Sequence, residues 1–275
     1  MARFAACGTA QPEGRLGHCR PGCSSRAGEA VNLAKGSKST IHPAECWLRE
    51  RSSALPWRNR WSFLCLPPRC YFCAARGDVG HLDLCQKCLH TLPWFEDRAA
   101  PPTVRTVFSY DDPVARALKD LKYAGDRRAA RLFGALLATV GASDPPDLLI
   151  PIPLHTQKLC DRGFNQSWLI ARHVGAWLGR PVRNDWMMRT RATPSQTGLH
   201  AGERRRNVHG AFFVAPGVEE ELARLQIRRV ALIDDIATTG ATLESAQEAL
   251  QERCAVEVQR WSVARAMPTN TTRPT

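Results

Sequence analysis

What most constrains the fold is the stretch from Arg228 to Arg253, RRVALIDDIATTGATLESAQEALQER. Its Val230-Ala231-Leu232-Ile233 is a short unbroken apolar run rich in branched side chains, the pattern of a strand buried on both faces of a parallel sheet. Asp234 and Asp235 follow, where that strand is expected to end. Ala237, Thr238, Thr239, Gly240, Ala241 and Thr242 then supply small side chains and hydroxyls before a helical pattern opens at Leu243. Leu243, Ala246 and Leu250 share one face of that helix, and Glu244, Gln247, Glu248 and Gln251 turn mostly away.

A loop of small residues leading into a helix presents backbone N–H groups and the positive end of the helix dipole, so it can cradle a phosphate. Carboxylates beside that loop would repel a bare anion. They point instead to a ligand that carries hydroxyls or a metal a short distance from its phosphate, as a sugar phosphate does. The loop lacks the Gly-Lys-Ser/Thr ending of a P-loop and is not the dinucleotide glycine fingerprint. IDDIATTGAT resembles the motif with which type I phosphoribosyltransferases bind phosphoribosyl diphosphate (PRPP). The resemblance implies that Asp234 and Asp235 are the catalytic acids on the ribose hydroxyls, with Ala237 to Thr242 around the 5′-phosphate. The plainer reading is a strand-to-helix turn whose acids cap the helix.

Cys70-x-x-Cys73 and Cys85-x-x-Cys88 form a second signal. Two such knuckles converge on one tetrahedral zinc, and four thiolates leave no open position, so the site reads as structural. A redox role needs only one pair. The eleven cysteines are otherwise scattered and odd in number, which argues against a secreted disulfide framework.

The formal charge of +12 suggests a nucleic-acid partner, but Met1 to Arg69 holds 11 Lys and Arg against 4 Asp and Glu and so carries +7 of it. Residues 1–68 lack a sustained period and read as a basic segment without order, or as residues that an over-long gene assignment places before the true start. Residues 69–95 form the zinc ribbon, 103–267 the main domain, and 268–275 a loose tail, with Pro101-Pro102 marking a boundary. No signal-peptide core is present and no apolar run approaches the roughly 18 residues of a membrane span, so a cytoplasmic protein without membrane insertion is expected.

Leu148-Leu149-Ile150 reads as a second buried strand, leading into Pro151-Ile152-Pro153-Leu154-His155. In phosphoribosyltransferases the matching loop holds pyrophosphate through backbone amides, and the resemblance gives that role to Pro153, Leu154 and His155. Lys158 and Arg162 follow as cationic donors to the same phosphates, and His155 reads more readily as a hydrogen-bonding spacer than as an acid or base. The side chains of Lys122-Tyr-Ala-Gly-Asp-Arg127-Arg128 can reach an anion, or Arg128 and Arg131 can simply be solvated. Arg189 to Val214 is long and polar, the composition of a loop that orders over an active site, with Arg191, Gln196 and Arg204 as its candidate contacts. Gly217 to Gln226 reads as an acidic linker.

The order CxxC…CxxC, LKYAGD, PIPLHTQKLCDRGFNQ, RTRATPSQTGL…RRRNVHGAF and IDDIATTGAT resembles the ComF family of competence-associated, phosphoribosyltransferase-like bacterial proteins, over roughly Cys70 to Arg265. One departure is Cys160-Asp161, where the family commonly carries a second basic residue. The resemblance implies an α/β fold, a type I phosphoribosyltransferase-like parallel sheet flanked by helices, preceded by a small four-cysteine zinc ribbon. It implies PRPP with Mg2+, a structural Zn2+, pentosyl transfer with release of pyrophosphate to an unnamed acceptor, and a role near DNA uptake. Partners would then include single-stranded DNA and DNA-uptake or helicase proteins. The alternative is a non-catalytic accessory protein that holds single strands through its ribbon and basic loops.

Overall fold

The computed structural model of the protein describes residues 43–52, 68–80, 82–96, 103–191 and 210–266, all within one compact unit. In chain order the elements are α1 (Pro43–Ser52), α2 (Gln86–Thr91), β1 (Arg105–Ser109), α3 (Val114–Lys119) with a π-helical turn at Asp120–Ala124, α4 (Arg127–Val140) and β2 (Leu148–Pro151). They continue with α5 (Thr156–Arg162), α6 (Gln166–Leu178), β3 (Met187–Arg189), β4 (Phe212–Val214), α7 (Val218–Arg224), β5 (Arg229–Ala237), α8 (Ala241–Gln251) and β6 (Glu257–Arg265).

Four strands form a parallel sheet in the order β1-β6-β5-β2, and β3 pairs with β4 in a separate antiparallel ribbon. Alternation along β5 sorts the core into two layers. Ala231 and Ile233 belong to an apolar cluster with α4 and α6, whereas Val230 and Leu232 belong to one with α7 and α8. Helices on both faces of a parallel sheet are the arrangement that the apolar run at Val230 requires. Close contact between α4 and α6 depends on Gly134, where a Cβ would lie 2.4 Å from that of His173.

The strand at β5 runs further than the apolar pattern suggests. Pairing with β2 stops at Pro151 opposite Ile233, but pairing with β6 continues to Ala237 opposite Arg265. Asp234 and Asp235 therefore lie inside a strand that is bonded on one side only. The segment read as an acidic linker is instead helix α7, because Val218 and Leu222, one turn apart, are buried and Glu221 is fixed by Arg183 and by the Trp186 indole.

A second difference falls on the N-terminal segment. Within it, residues 43–52 form α1, with Leu48 fully buried and the Trp47 ring centroid 5.9 Å from that of Trp177 of α6, the two rings tilted by 32°. The carboxylate of Glu45 is buried, where it accepts from Arg49 and from Gln86 of the cysteine segment. Periodicity misses this helix because it buries so few apolar side chains of its own. The rest of 1–67 lies outside the described residues.

The cysteine segment shares the core cluster of the sheet, contributing Leu82, Leu84, Leu89 and Leu92. Its last residues pair antiparallel with β1, Phe95 N–H donating to Val107 at 2.9 Å and Ser109 N–H to Pro93 at 2.8 Å. Arg131 of α4 pairs with the buried Asp83, and Arg128 lies 3.8 Å from the same carboxylate, so neither is a merely solvated cation. Because Leu48 seats α1 on both pieces, Leu48→Ala should cost about 2–5 kcal/mol of unfolding free energy, read from urea denaturation.

Candidate functional site

In an open parallel sheet, ligands bind beyond the carboxyl ends of the strands. Here β2 ends at Pro151 while β5 carries on, so the exposed flank of β5 after Ile233 is the floor of a crevice between the β2 and β5 loops.

Asp235 is almost fully buried and its carboxylate pairs with Lys122 Nζ at 2.7 Å. Lys122 reaches it from the π-helical turn, and Gln166 at the start of α6 is among the polar groups that favour its charged form. Gln166 is itself buried and accepts from Arg162 at 2.6 Å. Asp234 accepts from the Ser167 hydroxyl at 3.1 Å and from the backbone N–H of Asp235 at 2.9 Å. The two acids differ in their charge preference. Burial, then the adjacent Asp235 charge, raises Asp234 from its ordinary 3.8 to about 7. Burial pushes Asp235 upward too, but the charge and hydrogen bond of Lys122 outweigh it and hold that carboxyl below its ordinary value.

Directly after the acids, Ile236 to Leu243 together with Asp234 line an open cleft. Gly240 stands at φ +82° as the N-cap of α8, a left-handed position that suits glycine, and Thr239 Oγ1 accepts from the N–H of Ala241 at 3.3 Å. The helix thus starts at Ala241, two residues earlier than its apolar pattern suggests. Its first residues line the cleft, and the N–H groups that open a helix suit an anion.

On the β2 side, Pro153, Leu154 and His155 are half-buried, and His155 Nδ1 accepts from Gln157 N–H at 3.2 Å as the N-cap of α5. His155 also bridges in parallel fashion to Arg189 at the end of β3. Lys158 lies among cations, its ammonium lowered by burial and then by the charges of Arg189 and Arg162. Arg189 is lowered by burial, an effect that the charge of Asp234 partly offsets. Lys158, Arg162 and Arg189 therefore form one positive cluster next to the acids.

The four sulfurs of Cys70, Cys73, Cys85 and Cys88 lie within 4.8 Å of one another, and no disulfide joins them. Zinc bound to four thiolates at about 2.3 Å sets sulfur–sulfur edges of roughly 3.8 Å. The spacing of these thiols, 3.5 Å between Cys73 and Cys85, fits such a tetrahedron. Cys70 and Cys73 sit on a tight turn closed by Ala74 N–H to the Cys70 carbonyl, and Cys85 caps α2 by accepting from Cys88 N–H.

Of the residues singled out in sequence, the acids, the loop Ala237 to Thr242, and Pro153 to Arg162 come together around the crevice. Arg191 is exposed just after β3, and Gln196 and Arg204 lie outside the described residues. Sequence reading missed Lys122 as a partner of Asp235, and it missed Gln166, Ser167 and Arg189. LKYAGD and GFNQS offered a signal, each a polar cluster at a helix boundary, but nothing in the sequence names the carboxylate that they meet.

The raised Asp234 has a consequence for stability. Below its unfolded value near 3.8 both states hold the proton, and as pH climbs toward 7 the folded state keeps a proton that the unfolded chain releases, so its stabilising effect is lost across that window. Asp234→Asn should therefore gain on wild type as pH rises from about 4 to about 7, by up to about 1.4 kcal/mol per unit, and level off above. Urea unfolding across that range checks it.

No family model matches the chain. Competence protein F of Haemophilus influenzae is 30% identical over 206 residues, 72% of this chain and 85% of that protein. The DNA utilization protein YhgH of Escherichia coli O157:H7 is 30% identical over 243 residues, covering 82% of this chain and 98% of its own. Among solved structures, an adenine phosphoribosyltransferase from Leishmania donovani aligns with a TM-score of 0.35 at 10% identity, over 64% of this chain and 93% of that one. With competence protein F matched at that identity along most of its length, the chain belongs to the ComF family.

Proposed function

We propose that the crevice binds PRPP and that the protein acts in the handling of DNA during uptake or utilization. The observation that carries the first part is the order of charges along the site. An acid pair lies on the bare flank of β5, helix α8 opens beyond one side of it, and Lys158, Arg162 and Arg189 gather on the other. A ligand with a diol between two phosphate groups matches that order, with its 5′-phosphate on Thr238 to Thr242 and its diphosphate on the cations. Mg2+ accompanying the diphosphate would supply neutralisation of its charge, with the Asp234 and Asp235 carboxylates as the acids at hand. The second part is supported by the names of the relatives, competence protein F and DNA utilization protein.

As a pentosyl transferase, the chain positions and stabilises charge. Asp234, which lines the cleft, meets the ribose hydroxyls as a group able to take up or give a proton near neutrality, and Asp235, held charged by Lys122, backs it from the buried side. Pyrophosphate leaves C1 of the ribose as an acceptor attacks that carbon, with the cation cluster neutralising the departing charge. Four thiolates with no open ligand position support a structural zinc in the cysteine segment. A non-catalytic, strand-binding accessory is the second reading, favoured by the DNA utilization name alone.

Calorimetric titration of PRPP with Mg2+ into zinc-loaded protein tests the site. Wild type should bind, and Asp234→Asn with Asp235→Asn should weaken binding at least about tenfold, ~1.4 kcal/mol. A folded wild type that takes up no PRPP would overturn the reading. The zinc assignment predicts one metal per chain by elemental analysis, and a Cys85→Ser protein that retains less metal and melts at a lower temperature.

A further inference from the structure

The π-helical turn Asp120–Ala124, which brings Lys122 to Asp235, has little packing of its own. Leu121 is fully buried, but from Lys122 to Arg128 no residue is, and burial resumes only at Ala129 of α4. A single π-helical turn is a sparsely used geometry. This one is closed by Gly125 N–H on the Asp120 carbonyl, and among the described residues the ion pairs of the stretch from Leu121 to Arg131 fall at its two ends. At the near end Lys122 Nζ meets Asp235 at 2.7 Å. At the far end the partners belong to the cysteine segment. Arg131 donates to the buried Asp83 carboxylate, and Arg128 stands 3.8 Å from the same group. Arg128 also donates to the Arg69 carbonyl at 3.3 Å, and its guanidinium lies 5.5 Å from the Tyr71 ring centroid. Its backbone N–H donates to Asp126, the N-cap of α4, at 3.0 Å.

Asp83 is tied to both cysteine pairs. It lies two residues before Cys85, and its carbonyl accepts from the N–H of Tyr71, the neighbour of Cys70, at 2.8 Å. The carboxylate that grips α4 is therefore held by the same turns that carry the four thiols. Contacts run without a break from the thiols through Asp83 and Arg131 to α4, back along Asp126 and Gly125 to the turn, and through Lys122 to Asp235. Continuity in space is not coupling by itself. Here the lack of buried side chains between the two grips means that releasing one end leaves the segment held by the other alone. We propose that Arg131, through Asp83, is a positioning residue for the crevice, keeping the turn where the Lys122 ammonium meets Asp235. The ribbon thereby acts on the crevice without lining it. Where the inference concerns ligand affinity it rests on the phosphoribosyl reading above, and where it concerns the turn it stands independently.

Hydrogen-exchange mass spectrometry on the full-length, zinc-loaded protein reads the turn, and calorimetric titration of PRPP with Mg2+ reads the crevice. Arg131→Gln removes a cation from Asp83 and leaves all four cysteines in place, and it is compared with wild type at equal zinc content by elemental analysis. Its amides at 120–126 should exchange about fivefold faster or more while those of β5 and β6 stay unchanged, and its PRPP affinity should fall about threefold or more. Arg131→Lys, which keeps a cation on Asp83, should recover both. Exchange at the wild-type rate at 120–126 in Arg131→Gln overturns the proposal. So does faster exchange spread evenly over β5 and β6, which marks a general loss of stability. Unchanged PRPP affinity in a variant whose turn has loosened overturns it as well. A wild type that takes up no PRPP, beside an Arg131→Gln turn that still loosens, sinks the phosphoribosyl reading and leaves the positioning role standing.

Discussion

The crevice depends on one buried ion pair, Lys122 with Asp235. A carboxylate nearly shut off from water is costly unless it is paired, and Asp235 has the ammonium of Lys122 at 2.7 Å. The pair lets β5 continue past its apolar run with two acids in its backbone. It also joins elements far apart in sequence, the π-turn before α4 and the strand at the sheet centre, so the loop between α3 and α4 is fixed by electrostatics as well as by Leu118 and Leu121 packing beneath it.

The same pair makes two adjacent, chemically identical side chains unequal. Asp235 faces the lysine, while Asp234 faces a serine hydroxyl and the more distant Arg189. Since neighbouring carboxylates resist ionising together, stabilising the charge on one shifts the burden of protonation to the other. The inequality comes from the placement of partners around the strand and not from any difference between the acids.

Much of this was legible in the chain. Val230 to Ile233 is apolar at every position, which only a strand covered on both faces tolerates, and the alternation of its side chains between two clusters follows. The cysteine spacing likewise carries its geometry, because four sulfurs on two tight turns have few ways to meet. What stayed hidden depends on contact between distant segments. Helix α7 looks like a linker because only Val218 and Leu222 face the core, and α1 has so few apolar residues that its burial is decided by the Trp177 and Gln86 it meets. Lys122 and Gln166 read as polar boundary residues until the fold turns them toward one carboxylate. Pattern reports which faces are apolar, while a polar side chain's partner is set by tertiary placement.

The antiparallel contact of Phe95 and Pro93 with β1 has a wider meaning when both rims of the sheet are taken together. On the opposite rim, Leu149 of β2 exchanges backbone hydrogen bonds with Pro181 and Arg183. Each outer strand is therefore roofed by a short piece of chain, and neither presents a long row of unpaired backbone groups to a neighbouring molecule. A cluster of four cysteines that seems to serve only its own small loop thus also holds the strip that keeps one flank of the sheet from acting as a template for another copy.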